Sequence, residues 1–301
     1  MIPVKYAVII LNYNTIEDAV NAAKSVIDNA RTDDYVICIA DNASSKMEDR
    51  KRLQSISLHH TITCQLEKND GYAKGNNKAI DHLLKTYAPQ YVVIMNPDVF
   101  LLESGTIEGL IDGFEEEGAV GGQPLVWNCH YGDNPTIQQN IRKVPDYKDL
   151  RILMLKPLRF FHGKRYREFV YADQMPYKEH IRYYVPSGAF FILRTDVFQE
   201  IGLFDDHTFL YYEEHILGYK LRQKGLELLF MPEYKVRHEH GKSTGSNRFM
   251  FNKKASDIGM ESALYYAEKY VGISEKQKRH LIILHSINNF MMRMLFSLKG
   301  K

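Results

Sequence analysis

The chain has 301 residues, 45% of them hydrophobic, which fits one large soluble domain or slightly more. Its net charge of +2 argues against a nucleic-acid-binding protein, and no nucleic-acid partner is expected. Cys38, Cys64 and Cys129 have no CxxC spacing, which argues against a zinc knuckle or a disulfide framework. We see no signal peptide and no run of about 18 apolar residues, so we expect a cytoplasmic protein in a reducing compartment.

The first 127 residues alternate short apolar runs with helical patterns. Strands are predicted over residues 6–11, 35–40, 62–66 and 91–95. Helices are predicted after Thr15, up to Leu53 and over about 78–87. Alternation of this kind is typical of βαβ units, so we predict an α/β fold with a mostly parallel central sheet flanked by helices.

Polar, turn-rich segments follow three of the predicted strands, at residues 12–15, 41–45 and 96–98, and a fourth segment, 69–77, opens a helix. Any one of them alone indicates only a turn. Because strand ends of an open α/β sheet meet at one edge, the four together favour a nucleotide-type ligand. The sequence GYAKGNN matches neither GxGxxG nor GxxxxGK[ST], which disfavours a dinucleotide fold or a P-loop.

The second half of the chain is less regular. A helix over 106–117 and a strand within 118–127 are followed by a stretch without clear periodicity up to residue 182. Within it, residues 150–169 mix basic and large apolar side chains and are interpreted as an irregular insertion or flap. This segment could bind the acceptor, lie on an anionic membrane surface, or be a surface loop packed on the core.

Regular structure is predicted again from residue 183. Strands are expected at 190–193 and 226–231, and helices at 197–201, 214–224, 257–270 and 275–298. The last helix has apolar residues on or near one side. It could lie at a membrane interface, pack on the domain, or pack on a second subunit, so an oligomer stays open.

Several side chains stand out as candidate site residues. Asp98 is a carboxylate placed just after the strand over 91–95, which Pro97 should end. Glu213 and Glu214 begin a helix, where acids also suit the helix dipole. The small residues Gly188 and Ala189 leave room for something to approach the backbone. A further segment, His238 to Thr244, has two histidines and a glutamate before a Gly/Ser/Thr loop, a plausible metal or phosphate neighbourhood.

Taken in order, these segments resemble the family 2 inverting glycosyltransferases of the GT-A fold. The similarity is strongest to the rhamnosyltransferase-like bacterial members that build cell-surface polysaccharide. It is carried, over about residues 6–245, by VIILNYN, IADNAS, NDGYAKGNN, IMNPDV, PSGAFFILRTDVFQEIGLFDDHTFLYYEEHILGYKLRQKG and VRHEHGKST. The resemblance implies a catalytic GT-A domain over 1–250, with a nucleotide-sugar half (about 1–127) and an acceptor half (about 128–250), followed by a helical extension over 251–301.

The resemblance also implies residue roles. Leu11, Tyr13 and Asp41 would hold the nucleotide base, and Gly71, Lys74 and Asn76 would lie against the ribose or the diphosphate. The family's DxD motif appears as Asn96-Pro97-Asp98, so Asp98 is the remaining anionic ligand for a divalent metal, Mg²⁺ or Mn²⁺, with His238 completing the site.

On the acceptor side, the family's catalytic acid matches Glu214, and Glu213 is the alternative base. Two residues further on, where the usual pattern has another acid, this chain has Ile216. Gly188 and Ala189 are assigned to acceptor binding.

The implied reaction transfers a sugar from a nucleoside-diphosphate sugar to a hydroxyl of a glycan or lipid-linked glycan. dTDP-rhamnose is the first donor considered, and a UDP-hexose or UDP-galactofuranose is the alternative. A nucleotidyltransferase is disfavoured because LNYNTIED has no Gly, Lys or Arg. The Asn96 and Ile216 departures keep open a binding scaffold that has lost catalysis. The expected location is the cytoplasm, with peripheral contact to the inner face of the plasma membrane left open.

Overall fold

The computed structural model describes the backbone of residues 1–129, 136–137, 140–239 and 252–299, with the side chains of all of these except 136–137 and 296–299. Residues 240–244 of the predicted metal or phosphate segment lie outside the described residues. The described part folds as a central sheet flanked by helices, which confirms the predicted fold class.

The described strands form one sheet in the order β3-β2-β1-β4-β9-β6-β10-β5, with β7 beside β6 and β8 beside β10. They are β1 (Ile2–Asn12), β2 (Tyr35–Asp41), β3 (Thr61–Gln65), β4 (Tyr87–Met95), β5 (Val99–Leu101), β6 (Gly121–Cys129), β7 (Thr136–Ile137), β8 (Ile181–Tyr183), β9 (Phe190–Arg194) and β10 (Leu228–Glu239). The first four strands of this order are parallel, as the alternating pattern predicts. The second half is mixed, because β9 runs antiparallel to β4 and β6, whereas β10 runs parallel to β6.

Helices cover both faces of the sheet and extend beyond its second half. They are α1 (Ile16–Asn29), α2 (Met47–Gln54), α3 (Tyr72–Leu83), α4 (Thr106–Glu117), α5 (Tyr147–Met154), α6 (Leu158–Phe161), α7 (Gly163–Phe169), α8 (Thr195–Glu200), α9 (Glu213–Gln223), α10 (Lys253–Tyr266) and α11 (Glu275–Lys299). A short π-helical segment, Ala267–Val271, continues α10. None of the helices among the described residues is long and apolar enough to cross a membrane.

The core has one cluster on each face of the sheet, and β1 shows why. Along this strand Ala7 and Ile9 point into one cluster, while Tyr6, Val8 and Ile10 point into the other. All five are fully buried, so an apolar run without polar alternation is what a doubly covered strand requires.

The predicted start of α3 at about residue 78 is wrong, because the helix begins at Tyr72. Gly71 has a φ of +93°, and the Tyr72 N–H donates to the Phe209 carbonyl oxygen at 2.8 Å. This tertiary contact defines the start of the helix, and no capping residue in the local sequence predicts it. Lys74 and Asn76 therefore lie on a helix instead of in a loop.

The irregular flap predicted over 150–169 is also wrong, since α5, α6 and α7 occupy most of it. Asp146 caps α5 in a capping box with Asp149, and Arg165 donates to both carboxylates. An aspartate at the third helical position is less recognisable in sequence than the usual glutamate. A further difference concerns the strand predicted to end at Met231: β10 continues through a bulge to Glu239, so His238 lies on a strand.

The C-terminal helices are tied to the rest of the chain through the buried carboxylate of Asp205. It accepts hydrogen bonds from the hydroxyls of Tyr265 and Tyr270 and from Lys269 Nζ at 3.0 Å. Burial opposes ionisation of Asp205, but the hydrogen bonds from Tyr270, the His207 backbone, Lys269 and Tyr265 outweigh it and hold the pKa of the carboxyl well below its usual range. The charged carboxylate thus fastens the segment after α8 to α10 and its π-helical continuation.

We predict that Asp205→Asn lowers the free energy of unfolding by about 3 kcal/mol near pH 7, because several hydrogen bonds to a charged acceptor are weakened or lost. Since folding lowers the pKa of Asp205, its stabilisation is full above about pH 4 and fades as pH falls further. Urea unfolding at a series of pH values measures both effects. Asp206→Asn, at the exposed neighbouring carboxylate, is the matched control and should change stability by about 0.5 kcal/mol or less. Equal losses for the two variants would contradict the role of Asp205.

Candidate active site at the carboxyl edge of the sheet

A cleft of about 640 Å³ lies at the carboxyl ends of β1 and β4 and beside β6, β10 and the first turn of α9. It brings together most of the residues that the sequence singles out. The candidate residues that line the cleft are Leu11, Tyr13, Gly71, Asn96, Asp98, Gly188, Ala189, Glu213, Glu214 and His238. The parallel strands explain the gathering, since their carboxyl ends share one edge.

Asp41, Lys74 and Asn76 are not among the residues lining this cleft. The Asp41 carboxylate is fully buried and accepts hydrogen bonds from Asn12, Ser44 and Gln65, so it braces the ends of β1, β2 and β3. Asn76 is buried on α3, where its amide donates to the Tyr72 carbonyl oxygen. Lys74 is half-exposed and lies 3.8 Å from the Asp206 carboxylate.

Asn42, the residue after Asp41, takes the lining position instead. Its Nδ2 donates to Asn69 Oδ1 at 3.0 Å and to the Gly71 carbonyl oxygen at 3.1 Å. Its Oδ1 is buried and has no hydrogen-bond partner among the described residues. An unsatisfied buried acceptor at the wall of a cleft fits a ligand that donates a hydrogen bond there.

Gly71 lets the loop before α9 approach α3. A Cβ at this position would stand 2.2 Å from the Phe209 carbonyl oxygen, and the φ of +93° disfavours any other residue. Phe209, Leu210 and Tyr211 of that loop also line the cleft. The close approach therefore joins the two walls of the cleft.

Asp98 and His238 meet on the floor of the cleft. His238 Nε2 lies 3.2 Å from Asp98 Oδ1, and both side chains are almost fully buried. The other ring nitrogen of His238, Nδ1, lies 3.1 Å from Asn128 Oδ1. Because this amide oxygen is an acceptor, it favours the tautomer with the proton on Nδ1, in which Nε2 can act as a metal ligand. Asp98 Oδ1 has no well-formed hydrogen bond among the described residues. A carboxylate and an imidazole nitrogen converging in this way fit a divalent cation such as Mn²⁺ or Mg²⁺.

Two other acid–histidine groups have metal-like spacing among the described residues: Asp33 with His59 and His60, and Asp205 with Asp206 and His207. The Asp205 carboxylate is already occupied by donors from α10 and its π-helical continuation. Asp33 is exposed at the surface. Neither group lines the cleft, so the Asp98–His238 pair is the better candidate there.

Glu213 and Glu214 begin α9 directly after two residues in the left-handed region, Tyr211 and Tyr212, with φ values of 73° and 70°. Such a conformation costs about 1–3 kcal/mol for a bulky side chain, and it often marks a functional site. Here it turns the chain sharply enough to place both carboxylates against the cleft.

The two carboxylates differ in their surroundings. Burial, followed by the charge of Glu214, raises the pKa of Glu213 well above its usual range. Burial also raises the pKa of Glu214, but a hydrogen bond from the Gly188 backbone N–H and the nearby charge of Arg142 oppose that rise. Glu214 is therefore the member of the pair that ionises more readily. Paired acids whose environments separate their pKa values are typical of acid–base chemistry.

Gly188 fixes where the Glu214 carboxylate lies. A Cβ on Gly188 would stand 2.0 Å from Glu214 Oε1, and the Tyr72 hydroxyl donates to the Gly188 carbonyl oxygen at 2.7 Å. Tyr72 and Arg142 line the cleft although sequence reasoning did not select them. Tyr72 stands inside the GYAKGNN segment, whereas Arg142 lies in the stretch without periodicity and gives no signal of its own.

Comparison with known proteins adds independent findings. A family model described as "Glycosyl transferase family 2" matches residues 7–202. The chain is 23% identical over 224 residues to the low-salt glycan biosynthesis hexosyltransferase Agl10 of Haloferax volcanii, which covers 74% of this chain and 63% of Agl10. It is 23% identical over 238 residues to rhamnosyltransferase WbbL of Escherichia coli K12, which covers 76% of this chain and 82% of WbbL.

Among solved structures, GalNAc-T7 with UDP, GalNAc and Mn²⁺ superposes with a TM-score of 0.60 and 17% identity. The match covers 93% of this chain and 54% of the GalNAc-T7 chain. The chain thus spans less than two thirds of Agl10 and about half of GalNAc-T7. The structural match confirms the predicted GT-A fold.

We predict that Gly71→Ala lowers the free energy of unfolding by about 3 kcal/mol, because it combines a left-handed conformation with a backbone clash. Gly118→Ala is the matched control: its φ is +65°, but nothing lies within 4 Å of the added Cβ. The control should lose only about 1 kcal/mol. Thermal or urea unfolding compares the two variants. Similar losses would show that Phe209 does not press on Gly71 in solution.

Proposed function

The chain belongs to glycosyl transferase family 2, and we propose that it moves a sugar from a nucleoside-diphosphate sugar to a hydroxyl of a growing cell-surface glycan, with inversion at the anomeric carbon. The observation that carries the proposal is one cleft containing two separate chemical centres. Asp98 and His238 form the first, and the Glu213–Glu214 pair forms the second.

The donor is proposed to bind against the wall formed by Leu11, Tyr13, Asn42 and Gly71. Tyr13 can stack on a planar base, and the unsatisfied Asn42 Oδ1 can accept a hydrogen bond from the base or ribose. The first donor candidate is dTDP-rhamnose, supported by the similarity to a rhamnosyltransferase. A UDP-hexose or UDP-galactofuranose is the alternative, supported by the similarity to a hexosyltransferase.

The donor diphosphate is proposed to lie over Asp98 and His238. A divalent cation held there would neutralise charge on the leaving diphosphate. Asn96, in place of a first acid, leaves the protein with one fewer negative charge near the phosphates. Asn128 contacts Nδ1 of His238 and thereby orients the imidazole ring, so that Nε2 faces Asp98 and the proposed cation.

Glu214 is proposed to act as the general base. It would take the proton from the acceptor hydroxyl as that oxygen attacks the anomeric carbon from the face opposite the diphosphate. The Gly188 N–H holds the carboxylate in position, and burial together with the charge of Glu214 raises the pKa of Glu213 and favours its protonated form. General-base help of this kind contributes about 10²–10⁴-fold.

Arg142 lines the cleft, and its positive charge opposes the rise in the pKa of Glu214. We assign it to the boundary between donor and acceptor. There it would favour the ionised form of Glu214 and attract an anionic group of either substrate.

We predict that Glu214→Gln lowers kcat by at least about 100-fold while the dissociation constant for the donor changes little, because the amide cannot accept the proton. Glu213→Gln is the matched control and should cost about tenfold or less, since burial and the charge of Glu214 raise the pKa of Glu213 and favour its protonated form, which cannot take a proton. For the wild type, kcat/KM should fall on the acid side with an apparent pKa above the usual glutamate range. The titratable or charged side chains that face Glu214 are Glu213, Arg142, Tyr72 and Tyr211, and burial is the main cause of its raised pKa.

Transfer and donor binding are measured separately, by product formation and by calorimetry. A fully active Glu214→Gln enzyme would contradict the assignment. If Glu213→Gln is the inactive variant instead, Glu213 is the base. An inactive wild type that still binds donor would favour the binding scaffold.

We predict that Asp98→Ala weakens donor binding at least about tenfold in the presence of Mn²⁺ and has a smaller effect in its absence, because the carboxylate acts through the cation. Asp206→Ala, in the group formed by Asp205, Asp206 and His207, is the control and should leave donor binding unchanged. Calorimetric titration with and without chelator makes the comparison. If chelator affects neither binding nor activity of the wild type, the metal assignment fails.

A further inference from the structure

Two phenylalanines of α6 are among the most exposed large apolar side chains of the described residues. Phe160 is 87% exposed and Phe161 is 75% exposed, and both belong to a helix with no buried residue. Neither has a role in the cleft. Two adjacent, exposed aromatic rings of this size need a partner surface to cover them.

A second apolar surface lies on α11. Ile283, Ile287, Phe290 and Met294 are exposed and recur at helical spacing, so they form one stripe along the helix. The opposite side of α11 is buried through Leu281 and Leu284, which pack with α5, α9 and α10. The stripe is therefore the side of α11 that is exposed to solvent among the residues that the structure describes.

Hydrogen bonds place α5 and the segment that leads into α6 beside α11. Tyr147 Oη contacts His280 Nδ1 at 2.7 Å, and the Lys156 N–H donates to Asn288 Oδ1 at 3.2 Å. On the α11 surface, the exposed Met291 and Leu295 lie between Asn288 and the stripe, so α6 flanks the stripe. We call the two surfaces together the α6–α11 face.

The charge of the α6–α11 face is mostly positive. Residues 155–167 carry five basic side chains and no Asp or Glu, and residues 276–295 carry four and no Asp or Glu, while Glu168 and Glu275 stand just outside these two segments. Arg165, Arg167 and Lys278 pair with acids outside these segments. Lys156, Arg159, Lys164, Lys276 and Arg279 form no ion pair among the residues that the structure describes. This concentration contrasts with a net charge of +2 for the whole chain.

We propose that the α6–α11 face docks the protein on an anionic lipid surface. Exposed aromatic and aliphatic side chains would enter the interface, while the surrounding Lys and Arg side chains meet lipid phosphates. A symmetric contact between two copies is the less suitable occupant, because a two-fold interface would set one basic rim against the same rim of the other copy.

The position of this face has a consequence for the cleft. Asn252, Lys254, Ala255 and Ile258 at the start of α10 line the cleft, and Ser256 Oγ contacts His285 and Asn289 of α11. Among the described residues, α10 therefore lies between the cleft and the docking helix. A membrane-bound protein would hold this end of its cleft close to the lipid headgroups.

Sedimentation of the whole 301-residue chain with vesicles tests the proposal. The probes are phosphatidylcholine vesicles with about 30% phosphatidylglycerol and vesicles of phosphatidylcholine alone. Binding is expected only to the anionic vesicles and should weaken with salt. Phe160→Ser/Phe161→Ser/Phe290→Ser and, separately, Lys156→Glu/Lys164→Glu should each lower the partition coefficient by about tenfold or more. Met47→Ser and Lys51→Glu change comparably exposed residues on α2 and should leave binding unchanged.

Vesicle binding is read without substrate, so its outcome is independent of the proposed function. The changed side chains are at the surface, and unchanged thermal melting confirms that each variant is folded. Absence of binding to anionic vesicles would overturn the proposal, as would equal losses for the α2 controls. A wild-type dimer in analytical ultracentrifugation that the triple variant converts to monomer, without vesicle binding, would assign the face to a second copy instead.

Discussion

The hydrogen bond from the Tyr72 N–H to the Phe209 carbonyl oxygen, 2.8 Å long, is the contact on which the geometry of the cleft depends. It starts α3 and, in the same place, holds the loop that leads to α9. Gly71 allows it, because any side chain there would strike the Phe209 backbone. The wall proposed for the donor and the carboxylates proposed for catalysis are thus joined by backbone rather than by flexible side chains. A site that must align two substrates gains from such rigidity.

The same loop is held from the other side by the C-terminal helices. Ser262 Oγ donates to the Leu210 carbonyl oxygen at 2.9 Å, and Asp205 collects donors from α10 and its π-helical continuation. The loop between Asp205 and Tyr212 is therefore clamped between α3 and α10. This arrangement explains how two consecutive residues can be kept in the left-handed region at the entrance to α9. It also makes the C-terminal helices part of the support of the cleft, in addition to the lipid contact proposed for them.

The parts of the fold that periodicity controls could be predicted from the sequence. The strands that form β1, β2 and β4, and the helix α4, follow from apolar runs and spacing alone, and the polar ends of those strands predicted the edge of the sheet at which the cleft lies. What failed depends on contacts distant in sequence. The start of α3 is fixed by Phe209, 137 positions after Tyr72, and the helices of 147–169 depend on an Asp–Asp capping box with Arg165 across it. Asp41 and Asn42 show the same limit for the site: turn chemistry located the segment, but only the hydrogen bonds around Asp41 show which of the two reaches the cleft.

The central claim is that this cleft binds a nucleoside-diphosphate sugar through a divalent cation. The most direct test is calorimetric titration of the wild-type protein with UDP, dTDP, GDP and their common sugar conjugates, each with and without Mn²⁺. We predict that one nucleotide series binds and that its affinity rises when Mn²⁺ is present. The dTDP series is the first candidate for the nucleotide that binds. Absence of binding by every nucleotide and conjugate, with the metal present, would contradict the central claim.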